Sequence, residues 1–295
     1  MKNSLVTVIC LCYNHAQFLI EAVDSVLAQD YSAIQIIVID DASTDNSQKL
    51  LKEYYSDNSE VELVLHDKNQ GNCKSFNEGL ILAKGEYIID FATDDVMLFN
   101  RIAEQIKCFE SDTETGVVYT NTEYIDDKGA FLTNHRAEGD LLPSGNVFSE
   151  VLMKHVYEPS SIMVRKSVFD ELGGYDESLA YEDFDFVLRS SRLTKVAYIP
   201  KVLTKRRKVG ESLSSQLTKI GYKKMFESTY RVCEQAHNWC ETAEELKAWD
   251  ARIKYESRHA YRCGYKDIVK RYIGLMKDKN RLKWYRLGFE LLTFW

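Results

Sequence analysis

Between Val6 and Thr120 the chain changes period repeatedly: short apolar, β-rich runs alternate with stretches whose apolar residues recur every three or four positions. VTVICL (Val6 to Leu11), IQIIVI (Ile34 to Ile39), Val61 to Leu65, Glu86 to Phe91 and VVYT (Val117 to Thr120) read as strands. Phe18, Leu19, Ala22, Val23, Val26 and Leu27 share one helical face after the first of them. Asp45-Asn46-Ser47 offers helix caps before Leu50, Leu51 and Tyr54, and further helices are expected at Gly71 to Ala83 and Arg101 to Phe109. This alternation predicts an α/β fold with a mostly parallel sheet, right-handed crossovers and flanking helices.

In open sheets of this kind ligands bind beyond the carboxyl ends of the strands. Three polar clusters fall at such ends: Tyr13-Asn14, Asp40-Asp41 and Asp94-Asp95. The first of these loops, LCYNH, lacks the glycine spacing of a dinucleotide fingerprint or a P-loop, so a bound nucleotide needs something other than a glycine turn to neutralise its phosphates. A divalent cation is one solution, because Mg²⁺ or Mn²⁺ takes one or two carboxylates plus phosphate oxygens. Adjacent Asp94 and Asp95 repel each other, and a +2 ion with a diphosphate relieves that repulsion. On the residues alone the other reading stays open: Asp94 or Asp95 capping the next helix, and Asp183 capping its own.

The stretch from Gly129 to Tyr157 is irregular, with Gly139, Pro143 and Gly145, and is expected to run over the surface. Order returns with SSIMVR (Ser160 to Arg165), a short helix from Ser167 to Leu172, a Gly173-Gly174 turn, a helix opened by Glu182-Asp183, and a strand from Val196 to Ile199. Helical patterns occupy the remainder, which places a boundary near Ser215: a catalytic domain over 1–214 and a helical appendage over 215–295. The net charge of -7 is unevenly spread, since Lys and Arg outnumber Asp and Glu two to one from Lys201 onward. The acidic front excludes a nucleic-acid surface and suits a metal-dependent site. Seven cysteines without a CxxC pair are expected to be reduced core residues, and no apolar run reaches the roughly 18 residues of a membrane span. Met1-Lys2-Asn3-Ser4 leads into a strand without a signal-peptide core, so the cytoplasm is the expected compartment.

Three blocks then carry a resemblance. VTVICLCYNHAQFLIEAVDSVLAQDYSAIQIIVIDDASTDNS and NQGNCKSFNEGLILAKGEYIIDFATDDV resemble the opening segments of the family 2 glycosyltransferases, and SSIMVRKSVFDELGGYDESLAYEDFDFVLRSSR resembles their acceptor-side half. The likeness runs from about Leu5 to about Lys208, in the family's order. It implies a GT-A fold and an inverting, metal-dependent transfer from a nucleotide-diphospho-sugar, with UDP the expected nucleotide. It implies roles too. Tyr13, paired with Asn14, packs on the base; Asp41 bonds the base edge; Asp94 contacts ribose or sugar; Asp95 holds the Mn²⁺ or Mg²⁺ that bridges the diphosphate. Asp183, in the pair Glu182-Asp183, is the general base that takes the acceptor hydroxyl's proton.

Departures from the family pattern matter. Phe76 stands where relatives often carry Arg, and Lys74 is the substitute expected at the diphosphate. TKRRKVGESLS offers Arg206, Arg207 and Lys208 where many relatives place a metal-binding His; either the metal has fewer protein ligands, or these cations clamp the diphosphate. The QxxRW signature of processive synthases is missing, which implies one sugar added per binding event. The expected acceptor is a glycan or lipid-linked glycan of a surface polysaccharide. Basic and aromatic residues from Lys266 to Tyr272 and from Trp284 to Phe289 allow a peripheral membrane contact, or equally a packed helical bundle. The competing functions are a sugar nucleotidyltransferase, against which LCYNH speaks, and a catalytically silent nucleotide-sugar-binding module.

Overall fold

The computed structural model describes residues 4–154, 157–209 and 223–276. They form two compact units, each drawn from several parts of the chain. The first takes Met1–Val147, Val156–Ser178 and Phe186–Gly210; the second takes Phe148–His155, Leu179–Asp185 and Glu211–Trp295. The expected boundary near residue 215 lies outside the described residues.

In the first unit, β1 (Val6–Cys12) is buried along its whole length and pairs in parallel with both β2 (Ile34–Asp40) and β4 (Tyr87–Ala92). β3 (Val61–Leu65) extends the parallel half beyond β2. α1 (Leu19–Leu27) turns Leu19, Ala22, Val23 and Val26 into the core, while α2 (Ser47–Tyr55) buries Leu51 and Tyr55. α3 (Asn72–Leu82) leads to β4, and α4 (Arg101–Ser111) buries Ile102, Ile106 and Phe109. These helices complete the crossovers that the sequence period implies.

Beyond β4 the sheet is mixed. β8 (Met163–Arg165) lies antiparallel between β4 and β6 (Thr115–Ile125), and β7 (Phe131–Asn134) forms an antiparallel edge on β6. The two-residue strand β5 (Val96–Met97) runs antiparallel to β9 (Lys195–Arg207), giving the order β3-β2-β1-β4-β8-β6-β9-β5. A strand of two or three residues arriving from an irregular stretch leaves little periodicity to read. β9 also runs much further than Ile199. Its partners on β6 jump from Thr120↔Ile199 to Asn121↔Val202, so a bulge lifts Pro200, which has no N–H to donate, out of the ladder. The strand then resumes and carries Thr204 to Arg207 toward the site.

Arg101 fastens this half of the sheet from inside. Fully buried, it donates to Gln105, to the carbonyls of Ser160 and Ile162, and to Thr204. α6 (Lys166–Leu172) and the later part of α7 (Asp183–Leu193) add Phe169 and Phe186, which stack at 4.5 Å.

The second unit is helical: α5 (Phe148–Met153), α8 (Lys223–Trp239), α9 (Ala243–Arg262) and α10 (Lys266–Leu275). A capping box between Thr242 and Glu245 opens α9. Trp249 donates to the Cys233 carbonyl at 2.6 Å, and Tyr272, fully buried, meets Tyr230 edge to face at 5.2 Å. Tyr272, the one aromatic residue of α10, thus packs within this unit. Its Lys266, Lys270 and Arg271 are exposed, and Trp284 to Phe289 lie outside the described residues.

Close approach at Gly85 supplies a stability test. A Cβ there would sit 2.5 Å from the Thr7 backbone nitrogen and 2.9 Å from the Leu5 carbonyl oxygen, neither of which can move without disturbing β1. Gly85→Ala is expected to cost about 1–3 kcal/mol by overpacking, read as a lowered urea midpoint at unchanged slope.

Candidate functional site

At the carboxyl ends of β1 and β2 two loops are latched together. Asn14 takes a left-handed backbone (φ 59°), and its Oδ1 accepts from the Thr44 N–H at 2.7 Å and the Asp45 N–H at 3.3 Å. The Asn14 N–H donates to Ser43 Oγ, which in turn donates to Asp40 Oδ2 at 2.6 Å. Asp45 closes the latch by accepting from the Ala16 and Ser47 N–H groups. Asn14 therefore shapes this loop pair, and Tyr13 beside it is left 44% exposed, large and apolar yet uncovered.

Asp41 sits below that rim and is buried. It accepts from His66 at 2.9 Å and from the Gln70 and Gly71 N–H groups at 2.7 and 2.8 Å, while the other ring nitrogen of His66 lies 2.9 Å from Glu78. Burial works to raise the carboxyl, but the bonds from His66, Gln70 and Gly71 outweigh it and hold Asp41 below the ordinary range.

The Asp94-Asp95 pair follows β4, and β5 begins immediately after it at Val96. The next helix starts only at Arg101, with Asn100 at its cap. Helix capping by Asp94 or Asp95 is thereby excluded. Asp95 is 3% exposed, and its Oδ1 accepts the Arg207 N–H at 2.9 Å. Burial, and then the neighbouring Asp94, push its carboxyl well above the usual range; the Arg206 charge and the Arg207 N–H pull in the opposite direction. Asp94 lies 3.9 Å from His15, whose other ring nitrogen meets Thr93 at 2.9 Å.

The basic end of β9 divides between two surroundings. Arg206 pairs with buried Glu158, which also accepts from the Tyr124 hydroxyl and lies 3.6 Å from His135. Lys208 covers the Tyr124 ring at 3.9 Å. Arg207 turns the other way: it reaches Glu21 at 2.7 Å, donates to the Asp94 carbonyl, and lies 4.5 Å from the Phe18 ring centre. Arg207 is thus committed to the frame of the loop, while Arg206, Lys208 and the buried Arg101 all feel the Asp95 charge.

Lys74 is exposed on the first turn of α3. Phe76, the departure from the family's Arg, is fully buried, stacks on Tyr175 at 4.2 Å and meets Phe169 at a tilt at 5.1 Å, so that position serves the core. Glu182 and Asp183 fall in the second unit, at and just before the first turn of α7. The first unit thus brings Tyr13, Asn14, Asp41, Asp94 and Asp95 to one sheet edge. Sequence reasoning missed His15, Glu158, Tyr124 and His135; Tyr124 comes from β6, His135 from the irregular stretch and Glu158 from the residue just after it, where no motif marks them.

Comparison with known proteins decides the affiliation. A family model described as glycosyl transferase family 2 matches residues 7–173, more than half of the chain. The chain belongs to glycosyl transferase family 2. An uncharacterized glycosyltransferase of Rickettsia typhi is 30% identical over 217 residues, covering 70% of this chain but 64% of its own, so the chain matches less than two thirds of that relative. Among solved structures, Staphylococcus aureus TarS 1-349, captured with UDP-GlcNAc, superposes with a TM-score of 0.64 at 17% identity, over 87% of this chain and 73% of its own. The mannosyltransferase PcManGT of Pyrobaculum calidifontis, captured with GDP-Man and Mn²⁺, gives 0.66 at 15% identity, over 100% and 81%. These likenesses establish the GT-A fold.

A family 2 site of this composition fits a divalent cation. Burial, and then the neighbouring Asp94, disfavour the charged form of Asp95, a penalty that a +2 ion relieves. Among the described residues no cluster of three or more His, Cys, Asp or Glu could hold a metal by itself. Mg²⁺ and Mn²⁺ commonly take one or two carboxylates and fill the rest of the shell with phosphate oxygens and water.

Asp41→Asn should cost about 2–3 kcal/mol, because His66 and two backbone N–H groups lose a charged acceptor. The folded carboxyl lies below its unfolded value, so this contribution is complete above the unfolded pKa of about 4 and fades as pH falls through the folded one. Urea titrations at pH 7 and pH 3 should show a gap between wild type and variant that narrows at the lower pH.

Proposed function

We propose that this chain transfers a single sugar from a nucleotide-diphospho-sugar to an acceptor hydroxyl, with inversion at the anomeric carbon. The observation that carries the reading is the buried Asp95 beside Asp94 at the end of β4, on the sheet edge that also presents Tyr13 and Asp41. Tyr13 offers an exposed ring for the base. Asp41 and Asp94 orient base and ribose or sugar, and Lys74 contributes charge for the diphosphate. Asp95, with Asp94, is the place for Mn²⁺ or Mg²⁺, which when bound neutralises the departing diphosphate. Asp183 accepts the proton of the attacking hydroxyl as its oxygen bonds the anomeric carbon and the diphosphate leaves with the electron pair. Glu182 belongs to the acceptor side. A single displacement of this kind inverts the centre.

UDP is the nucleotide proposed first. TarS was captured with UDP-GlcNAc, whereas PcManGT was captured with GDP-Man, so GDP is the rival within the same fold. The proposed acceptor is a glycan or lipid-linked glycan of surface polysaccharide synthesis, worked on in the cytoplasm. No helix of the described residues is long and apolar enough to cross a membrane. Membrane contact, if made, falls to the exposed basic face of α10: vesicles rich in anionic lipid should float the protein at low salt and release it at high salt.

Thermal denaturation with UDP, GDP, CMP and dTDP, each with and without Mn²⁺, tests the donor site. One diphosphate at 100-fold above its Kd is expected to add about 2.7 kcal/mol, only with the metal, and Asp95→Ala is expected to abolish the gain. Slow donor hydrolysis by wild type, reduced at least about 100-fold in Asp183→Asn, separates an enzyme from a silent binding module. Hydrolysis unchanged in that variant would remove Asp183 from the mechanism.

A further inference from the structure

The segment Leu179–Asp185 belongs to the second, helical unit, whereas the residues on either side of it in sequence belong to the first. Three contacts show how. The Ala180 N–H donates to Ser228 Oγ on α8 at 2.8 Å. Tyr181 Oη meets Thr229 Oγ1 on the same helix at 2.5 Å. The Thr229 hydroxyl already donates to the Met225 carbonyl at 3.1 Å, so its proton is spoken for and Tyr181 is the donor in that bond. On the other side of Glu182-Asp183, the guanidinium of Arg252 on α9 lies 4.0 Å from the centre of the Phe184 ring. Arg252 is itself fixed by Glu256 at 2.9 Å, both nearly buried at 7% and 5% exposure.

Two residues before Asp183 and one residue after it are therefore bound to α8 and α9. We propose that these two helices form a clamp that positions the turn carrying Glu182 and Asp183, with Tyr181, Thr229 and Arg252 as positioning residues for the base. This rests on the reading of Asp183 as general base. A base must hold its carboxylate within hydrogen-bond reach of the hydroxyl it deprotonates, and small misplacements are costly in rate. A backbone and a side-chain tether on one flank, with a side-chain contact on the other, restrict a two-residue motif more than any one of them alone. The C-terminal helices gain a role in turnover, quite apart from any membrane or stability role. Ser228 and Thr229 are consecutive residues of one helical turn, so a single element supplies both tethers on the N-terminal side.

The experiment uses the full chain as wild type, Tyr181→Phe, Thr229→Val and Thr229→Ser. Hydrogen exchange of the peptide spanning 179–188 reads the clamp itself. Hydrolysis of UDP-GlcNAc or of GDP-mannose, whichever wild type turns over, reads the base: water attacks the anomeric carbon, gives its proton to Asp183, and the nucleoside diphosphate leaves. Tyr181→Phe and Thr229→Val are expected to speed exchange of 179–188 about tenfold, the consequence of one lost buried hydrogen bond. The peptide spanning 87–96 should exchange as in wild type, which shows that the first unit remains folded. kcat should fall about tenfold with the donor KM within twofold, the double variant should be no worse than either single one, and Thr229→Ser should restore both readouts. Unchanged exchange at 179–188 would overturn the clamp, and faster exchange with unchanged kcat would overturn its link to turnover. Asp183→Asn hydrolysing as fast as wild type would instead defeat the base assignment, a result the exchange data do not depend on.

Discussion

The burial of negative charge at the ends of the sheet strands is the constraint around which the first unit is arranged. Asp95 and Glu158 are nearly inaccessible, and an isolated carboxylate in such surroundings either neutralises or finds cations and N–H groups. The chain provides them from β9: the Arg207 N–H for Asp95 and the Arg206 side chain for Glu158. That supply requires β9 to continue past Pro200 and to pair with both β5 and β6. The bulge at Pro200, the two-residue strand after Asp95 and the buried Arg101 beneath them are parts of one solution. Even so, burial and the neighbouring Asp94 hold the Asp95 carboxyl above its ordinary range.

The parallel half of the fold was legible because its signals are long. β1, β2, β3 and β4 are runs of apolar residues separated by helices with a one-sided apolar face, and chirality and connectivity leave few ways to assemble them. The mixed half was not. β5 has two residues and β8 three, so neither spans a period, and Pro200 reads as the end of β9 when the bulge makes it an interruption. The helical composition after residue 223 was legible, while its share of the chain was not. α5 and the segment Leu179–Asp185 join the second unit through contacts between residues tens of positions apart, which no local pattern encodes.

Within the site, Tyr13, Asp41, Asp94 and Asp95 were found by position at strand ends, and the structure collects them on one edge. What sequence could not tell was how each is held. Asn14 shares a motif with Tyr13, and its amide oxygen accepts from Thr44 and Asp45, so it holds the loop pair that carries the exposed aromatic. Phe76 shows the converse. Its departure from the family's Arg looked like a change in the site, and its burial against Phe169 and Tyr175 reveals a change in the core. A residue's type at a motif position thus gives its chemistry only after its partners are known.

Those partners also separate the two tasks of the proposed reaction. Donor-side groups draw their geometry from the sheet edge: the Asn14 latch, the His66 bridge to Asp41, and the Arg207 N–H on Asp95. The Glu182-Asp183 turn draws its geometry from α8 and α9, through Ser228, Thr229 and Arg252. Contacts in one set share no residue with contacts in the other, and energetic effects at sites without shared partners are close to additive. On the proposed reading, substitutions in the helices should then act on turnover and leave nucleotide affinity intact, whereas substitutions along the sheet edge should weaken nucleotide affinity and, at Asp95, turnover as well.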